Sequence, residues 1–265
     1  MTSYEQITYE VRDRVALITL NRPEKLNAWT PKMAAEQAHA IGRANDDRAI
    51  GAIVMTGAGR GFCAGADMQD TFQTRIDGKD PGNNTAEGQG GMPADVDWVR
   101  LCRDSKPIVA AVNGAAVGIG VTMILPCDVI VASEKAKFGM FFIRMGLVPE
   151  LASTYFLVQR MGFGAASEMC LSGRLYEGRE AHERGLVDHL VAPEQLVERA
   201  LAIAGEMAAN PSRQLRMIKE LLTENAADPD VDAVQRRESE LLRICWKTPE
   251  HAEAVRAFLE KRPAK

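Results

Sequence analysis

The chain has 265 residues, of which 46% are hydrophobic and 26% charged, and its formal net charge is −4. This composition is typical of a globular protein, and the acidic balance argues against nucleic acid or an anionic membrane surface as the main partner. The five cysteines are scattered without C-x-x-C spacing, which predicts free thiols, no metal centre and a reducing, cytoplasmic setting. The first residues lack the basic and apolar segments of a signal peptide, in agreement with that setting.

Local sequence patterns predict alternating strands and helices through most of the chain, followed by helices alone. Short β-type apolar runs predict strands at 7–12, 15–20, 52–56, 107–112, 129–132 and 187–191. Helical spacing and helix-start signals predict helices at 30–45, 67–76, 94–103, 121–125 and 150–160, and further helices from 193 to 259. We therefore expect a strand-containing core over residues 1–195 and a helical oligomerisation region over 196–265.

Residues 77–93 form a long segment without a regular pattern. They are rich in Gly, Asn and Pro, a composition typical of loops rather than of packed elements. Binding and catalytic groups are often carried by such exposed loops. We interpret this segment as a mobile loop and a candidate lid.

The run between Lys106 and Asp128 carries no charge and is long enough to cross a bilayer. Its interior argues against a membrane span, because Asn-Gly at 113–114 interrupts it and Gly118 and Gly120 favour a tight backbone turn. The run therefore predicts a buried strand, a glycine-rich turn and a short helix inside a folded core.

Two glycine-rich turns, at 62–67 and 118–120, each lie between a predicted strand and a predicted helix. A helix that opens from such a turn directs unpaired backbone N–H groups at whatever lies in front of it. The turns are either simple connections or two halves of an oxyanion hole, in which N–H groups bind a thioester oxygen as it becomes an enolate. Dinucleotide binding is excluded, because the G-x-G-x-x-G pattern would need glycine where Met123 stands.

Five segments match one known set of motifs in order and spacing, over nearly the whole chain. They are NRPEKLNA at 21–28, GAGRGFCAGAD at 57–67, KPIVAAVNG at 106–114, CD at 127–128 and FLEK at 258–261. Together they resemble the crotonase (enoyl-CoA hydratase/isomerase) superfamily. The resemblance implies an α/β fold, namely a spiral of ββα units with a C-terminal helical trimerisation region, assembled as a homotrimer or a dimer of trimers. It also implies an acyl-CoA thioester as substrate, with no cofactor beyond the coenzyme A that the substrate carries.

The motif match implies roles for individual residues. The oxyanion donors fall on the backbone N–H groups of Ala64 and Ile119. Coenzyme A contacts fall on Lys25, Ala28, Ala64, Gly65, Ala66, Asp67, Gly118, Phe258 and Lys261, the last two directed at a neighbouring subunit's nucleotide. The acyl pocket is expected to include Trp29, Thr122 and Phe142. Three of these residues also have a purely structural interpretation: a core position for Trp29, a helix cap for Asp67 and a solvated tail position for Lys261.

The candidate acid–base residues depart from the family pattern. Hydratases of the superfamily use two glutamates, and this chain has Thr122 and Phe142 at the corresponding positions. Glu150 remains, at a position where Δ3,Δ2-enoyl-CoA isomerases of the superfamily carry a single glutamate. Apolar neighbours would raise its pKa and a helix N-terminus would lower it. The alternative for Glu150 is a glutamate that only complements a helix dipole.

We therefore expect an acyl-CoA enzyme that stabilises a thioester enolate, with single-base isomerisation of a 3-enoyl-CoA as its reaction. The alternatives are a hydratase with atypical acid and base groups, a thioesterase or decarboxylase that uses the same oxyanion hole, and a non-catalytic acyl-CoA binder. No nucleic-acid or membrane partner is expected.

Overall fold

The structure, a computed structural model, describes residues 3–80 and 92–263, so most of the candidate lid lies outside the described residues. The strands are β1 (Ile7–Arg12), β2 (Val15–Leu20), β3 (Ala52–Gly57), β4 (Gly61–Cys63), β5 (Ile108–Val112), β6 (Ala115–Val117), β7 (Val129–Ser133), β8 (Lys137–Gly139), β9 (Leu175–Glu177) and β10 (His189–Val191).

The helices are α1 (Pro31–Asp46), α2 (Thr74–Ile76), α3 (Trp98–Asp104), α4 (Ile119–Thr122), α5 (Ser153–Ser172), α6 (Gly178–Glu183), α7 (Leu196–Ala208), α8 (Ser212–Asn225), α9 (Val231–Cys245) and α10 (Pro249–Leu259). A π-helical turn, Met68–Gln73, leads into α2, and a 3-10 turn, Phe141–Met145, follows β8.

The larger sheet has six strands in the order β1-β2-β3-β5-β7-β10. Strands β1 and β2 form an antiparallel hairpin, and the other pairs are parallel. Strand β5 reads IVAAV and is buried at every position, as expected of a parallel strand that is covered on both faces. The predicted hairpin and the four further predicted strands are confirmed, although the last is shorter than predicted.

The smaller sheet has the order β4-β6-β8-β9, and each of its strands has three residues. Strands β4, β6 and β8 each follow a strand of the larger sheet after a short turn. The chain therefore winds as a spiral in which each turn adds one strand to each sheet. Phe138 is fully buried in β8, a strand that the sequence patterns do not predict.

Helix boundaries follow local capping. The Thr30 hydroxyl accepts a hydrogen bond from the Met33 amide at 3.1 Å, which confirms the predicted start of α1. Helix α3 begins four residues later than predicted, because Asp97 caps it. Helix α4 begins at Ile119 rather than at residue 121, and α5 begins at Ser153 rather than at Glu150.

Two hydrophobic cores lie on opposite faces of the larger sheet. One fills the space between this sheet and the rest of the spiral, and its largest fully buried side chains include Trp29, Trp98 and Tyr176. The other lies between the sheet and α7, where Leu196, Ala200 and Ile203 join sheet residues. The predicted boundary at 195 therefore separates strand-containing sequence from helical sequence, but α7 shares a core with the sheet.

A buried ion cluster attaches α8 to the core. The Lys219 ammonium lies 2.8 Å from Asp128 Oδ2, and Arg103 Nη1 lies 3.0 Å from Asp128 Oδ1. Lys219 is 4% exposed and also donates to the Cys102 carbonyl at 2.8 Å. Because a buried ammonium is stable only when it is paired and hydrogen-bonded, this cluster fixes where α8 lies on the core.

The uncharged run between Lys106 and Asp128 contains β5, β6 and α4, which confirms the predicted strand, turn and short helix. Among the residues that the structure describes, no helix combines the length and the apolar character that a membrane span needs.

Substitution of Asp128 by asparagine should lower the free energy of unfolding by about 3 kcal/mol, since it leaves the Lys219 ammonium buried beside a neutral amide. Urea unfolding followed by circular dichroism measures this change. The control is Asp104→Asn, which removes an exposed pair with Arg100 and should change stability by less than about 1 kcal/mol. Equal effects of the two substitutions would contradict the assigned role of the buried cluster.

Candidate active site

A cavity of about 370 Å³ opens beside the two glycine-rich turns. Its walls are mainly apolar, and their aromatic and aliphatic members include Trp29, Phe72, Phe141, Phe142, Leu147 and Val148. Ala64 and Ile119 line the same cavity, so the spiral brings the two turns to one place. Among its described lining residues, the ionisable side chains are Arg75 and Glu150.

The two turns are in direct backbone contact. A Cβ atom placed on Gly120 would lie 2.2 Å from the Cys63 carbonyl oxygen, and one on Gly65 would lie 3.4 Å from the Val117 carbonyl oxygen. Only glycine at residue 120 allows this approach without moving the backbone. Burial raises the pKa of Cys63 to about 11, so its thiol stays protonated beside the site.

The Ile119 amide is available as a donor. Gly118 has φ 54° and ψ −119°, and its own N–H donates to the Gly139 carbonyl at 2.8 Å. This conformation is accessible mainly to glycine. The N–H of Ile119, the first residue of α4, makes no hydrogen bond to any described residue and is one of the unpaired donors of a helix start.

The Ala64 amide differs from the expectation. Its N–H donates to the Leu26 carbonyl oxygen at 3.1 Å, so in this structure it is engaged within the protein. Leu26 and Asn27 both have left-handed backbone conformations, with φ 51° and 55°. The buried Asn27 side chain holds this segment by donating to the carbonyls of Ala58 and Gly61. The 21–28 segment therefore supplies an acceptor for the Ala64 amide, and the role of this amide as an oxyanion donor stays a prediction.

Asp67 acts as a helix cap. Its Oδ1 accepts hydrogen bonds from the amides of Gln69 and Asp70, and its Oδ2 lies 3.2 Å from Arg22 Nη2. Burial opposes ionisation of this carboxyl, but the Asp70 amide and Arg22 outweigh it and hold its pKa below the usual range. Its own N–H donates to the Trp29 carbonyl at 2.8 Å. The structural interpretation of Asp67 is therefore confirmed.

Glu150 precedes α5 instead of lying in its first turn. Leu151 and Ala152, the next two residues, both have left-handed backbones with φ 54° and 52°, and the helix begins at Ser153. Each such non-glycine residue costs roughly 1–2 kcal/mol. The interpretation of Glu150 as a residue that only complements a helix dipole is therefore not supported by its position.

The Glu150 carboxyl group combines one hydrogen bond with a buried, unpartnered oxygen. The Thr122 hydroxyl donates a hydrogen bond to Glu150 Oε1 at 2.5 Å, and Oε2 is buried without a partner among the described residues. Burial raises the pKa of Glu150 to about 7, and the hydrogen bond from Thr122 opposes this rise. A carboxyl group with a pKa near neutrality can both accept and return a proton under physiological conditions.

The predicted acyl-pocket residues take two different positions. Trp29 and Phe142 line the cavity, and Trp29 is also fully buried in the core. Thr122 has no exposed surface and is not among the lining residues, so it lies behind Glu150 instead of facing an acyl chain. The expectation that Thr122 forms part of the acyl pocket is therefore wrong.

The remaining predicted coenzyme A contacts are distributed around and away from the cavity. Gly65, Ala66 and Gly118 line it. Lys25 and Ala28 lie outside its lining, in the 21–28 segment. Within this segment the Ala28 carbonyl accepts a hydrogen bond from Arg22 at 2.7 Å. Phe258, at the end of α10, is 83% exposed. Contacts of Phe258 and Lys261 with a neighbouring subunit stay predictions.

Sequence reasoning missed several cavity residues. Those from the π-helical turn and α2 are Met68, Thr71, Phe72 and Arg75. Their spacing is typical of an ordinary helix face, which does not distinguish them in the sequence. They line the cavity because this helix lies next to Trp29 in the fold. The sequence contains no signal that identifies the contact between Thr122 and Glu150, which are 28 residues apart.

Comparisons with known proteins agree with this geometry. The family model described as "Enoyl-CoA hydratase/isomerase" matches residues 10–265. A "Probable enoyl-CoA hydratase" of Rhizobium meliloti is 35% identical over 99% of this chain and 98% of its own. A "1,2-epoxyphenylacetyl-CoA isomerase" of Escherichia coli is 34% identical over 97% of each chain.

Solved structures agree as well. The crystal structure of a putative enoyl-CoA hydratase from Streptomyces coelicolor superposes with a TM-score of 0.88 at 29% identity, over all of this chain and 95% of that one. A Geobacillus kaustophilus enoyl-CoA hydratase structure gives a TM-score of 0.85 at 30% identity, covering 100% and 98% of the two chains. The ββα spiral, its helical C-terminal region and these likenesses together show that the chain belongs to the enoyl-CoA hydratase/isomerase (crotonase) family of enzymes.

Proposed function

We propose that this enzyme isomerises a 3-enoyl-CoA to the 2-enoyl-CoA with Glu150 as its single proton-transferring base. The observation that carries the proposal is the carboxyl group itself, which lies at an apolar cavity and whose pKa is about 7. General acid–base catalysis is most efficient when the pKa of the catalytic group lies near the working pH.

The proposed reaction moves one proton and one double bond. The Glu150 carboxylate removes a proton from C2 of the 3-enoyl thioester, and the electron pair moves onto the thioester oxygen as a dienolate. The neutral carboxylic acid then returns the proton to C4, which places the double bond between C2 and C3 and restores the carboxylate. Atoms and charge balance without any cofactor beyond the coenzyme A of the substrate.

The residues that replace the family's two hydratase glutamates support this choice over hydration. Phe142 lines the cavity with a hydrocarbon ring, and the Thr122 hydroxyl donates a hydrogen bond to Glu150. In the described part of the chain, the ionisable lining residues are Glu150 and Arg75. A water molecule in the cavity would therefore have one carboxylate to activate it instead of two.

The Ile119 amide is proposed as the oxyanion donor. It has no partner among the described residues and lies on the cavity wall with Glu150. Ala64 becomes a second donor when the substrate oxygen replaces the Leu26 carbonyl as the acceptor of its N–H. A 3.1 Å bond between neutral groups contributes about 1 kcal/mol, which a charged enolate oxygen would outcompete.

A homotrimer, or a dimer of trimers, is proposed as the assembly. Large apolar side chains of the last two helices and their connection are exposed in the single chain, namely Leu242, Ile244, Trp246, Val255, Phe258 and Leu259. A concentration of exposed apolar side chains in one part of the chain favours a subunit interface there. The coenzyme A nucleotide would then contact Lys25 and Ala28 of one subunit and Phe258 and Lys261 of a neighbour.

The substitution Glu150→Gln should lower kcat on a 3-enoyl-CoA by about 1,000-fold, because the amide cannot accept the C2 proton. The measurement is the formation of the conjugated 2-enoyl product by absorbance. The control is Glu177→Gln, which alters an exposed carboxylate paired with Lys137 and should leave kcat within about twofold.

A panel of 2-enoyl-, 3-enoyl- and β-keto-acyl-CoA esters separates the alternatives. Turnover of the 3-enoyl ester alone agrees with the proposal. Hydration of the 2-enoyl ester, or turnover by Glu150→Gln equal to that of the natural enzyme, would overturn the single-base isomerase.

The pH dependence should have a defined direction. Glu150 must be ionised to accept a proton, and its pKa in the free enzyme is about 7. We expect kcat/KM to rise as pH increases through about 7 and to fall about tenfold per pH unit below it. A profile that is flat from pH 5 to pH 8 would show that this carboxyl group does not limit the reaction.

The substitution Gly118→Ala should reduce kcat about 100-fold, because a side chain at φ 54° and ψ −119° forces the turn that presents the Ile119 amide to rearrange. Circular dichroism should show a folded protein, since a Cβ at this position meets no atom within 4 Å. Gly164→Ala, at an unhindered position in α5, serves as the matched control and should retain full activity. Full activity of both variants would exclude the proposed oxyanion donor.

A further inference from the structure

The hydroxyl group of Thr122 has one proton and two acceptors near it. Glu150 Oε1 lies at 2.5 Å and the Ile119 carbonyl oxygen at 3.5 Å. The longer contact lies at the limit of a hydrogen bond, whereas the shorter one falls in the range of a hydroxyl bonded to a carboxylate. Because Thr122 has no exposed surface, bulk water does not compete, and the proton is directed at Glu150.

The two oxygens of Glu150 are therefore unequal. Oε1 accepts the hydrogen bond from the Thr122 hydroxyl, while Oε2 is buried without a partner among the described residues. Hydrogen bonding stabilises negative charge on the oxygen that accepts it. The unpartnered oxygen is consequently the one at which a transferred proton is bound more strongly.

We propose that Thr122 is a positioning residue that fixes Oε1 of Glu150 and so sets the orientation of the carboxyl group at the cavity wall. This inference rests on the proposed role of Glu150 as the base and adds the residue that orients it. Thr122 acts through Glu150 and does not touch the substrate, because it lies outside the cavity lining.

The backbone around each partner supports this role. Thr122 ends α4, the short helix that opens at Gly118 and is held against Cys63 by the close approach at Gly120. On the other side, the left-handed pair Leu151 and Ala152 follows Glu150 directly. Strained backbone persists where the surrounding structure determines it, and here it occurs on the segment that carries the carboxylate.

Charged groups near Glu150 offer no alternative partner within the described residues. Arg75 of α2 lines the cavity, and the Arg144 guanidinium lies 4.6 Å from the centroid of the Phe141 ring. On the side of residues 151–152, Arg103 of α3 is paired with Asp128 and Asp104 is paired with Arg100. Burial and the Thr122 hydrogen bond are the influences on the pKa of Glu150, with no contribution from a charged neighbour.

The substitutions Thr122→Val and Thr122→Ser test the proposal. Valine keeps the shape and removes the hydroxyl, so the midpoint of the kcat/KM profile should rise by about one pH unit and kcat should fall about tenfold. Serine retains the hydroxyl and should keep the natural midpoint and at least about half of kcat. An unchanged midpoint in Thr122→Val would overturn the proposal and leave Thr122 a packing residue.

Two further measurements keep the result interpretable. If Thr122→Val unfolds, Thr122→Ala replaces it, and the same shift of the midpoint is required. Infrared difference spectroscopy can titrate the Glu150 carboxyl band, which is assigned by its absence in Glu150→Gln. A Thr122→Val protein whose band titrates at the natural pH contradicts the proposal, whatever the turnover.

The infrared titration also separates this inference from the proposed function. If Glu150→Gln retains turnover but the carboxyl band still shifts in Thr122→Val, the reaction assignment fails while the pairing stands. If Glu150→Gln loses turnover and Thr122→Val shifts nothing, the base is correct and the positioning role is wrong.

Discussion

The site depends on the burial of one carboxyl group beside an apolar cavity with a single hydrogen bond to support it. A carboxylate in such surroundings gives up most of its hydration, so its neutral form gains relative stability. That shift places the pKa of Glu150 at about 7, where a carboxyl group can both accept and release a proton. A second carboxylate nearby would repel the first and change this balance, and the family's other acidic positions here hold Thr122 and Phe142.

The spiral places a backbone N–H donor at the cavity that Glu150 lines. Parallel pairing of β4 with β6 brings the turn that follows each strand to the same edge of the smaller sheet. The Cys63 carbonyl then packs against Gly120, and the start of α4 presents the Ile119 amide at the cavity. In the proposed reaction an enolate needs both a base and a donor for its oxygen, and the two proposed groups come from segments that are far apart in the sequence.

Much of this arrangement follows from the sequence, and the remainder has physical reasons for being missed. Apolar runs such as 107–112 predict their strands because an unbroken apolar, β-branched run of this length fits a strand that is covered on both faces. Three-residue strands such as β8 are too short to give such a pattern. The position of Glu150 was predictable from its motif. Its bond to Thr122 depends on tertiary packing, as does the bond from the Ala64 amide to the Leu26 carbonyl, and neither leaves a local pattern.

The consecutive left-handed residues Leu151 and Ala152 carry a consequence for how this enzyme can evolve. Selection for heat tolerance favours glycine at such positions, since glycine occupies them without steric penalty. However, glycine would also make the backbone beside Glu150 more flexible, so that its carboxylate could move over a wider range. Thermal stability and catalytic turnover therefore place opposite demands on these two residues, and adaptation to higher temperature would require a compromise between them.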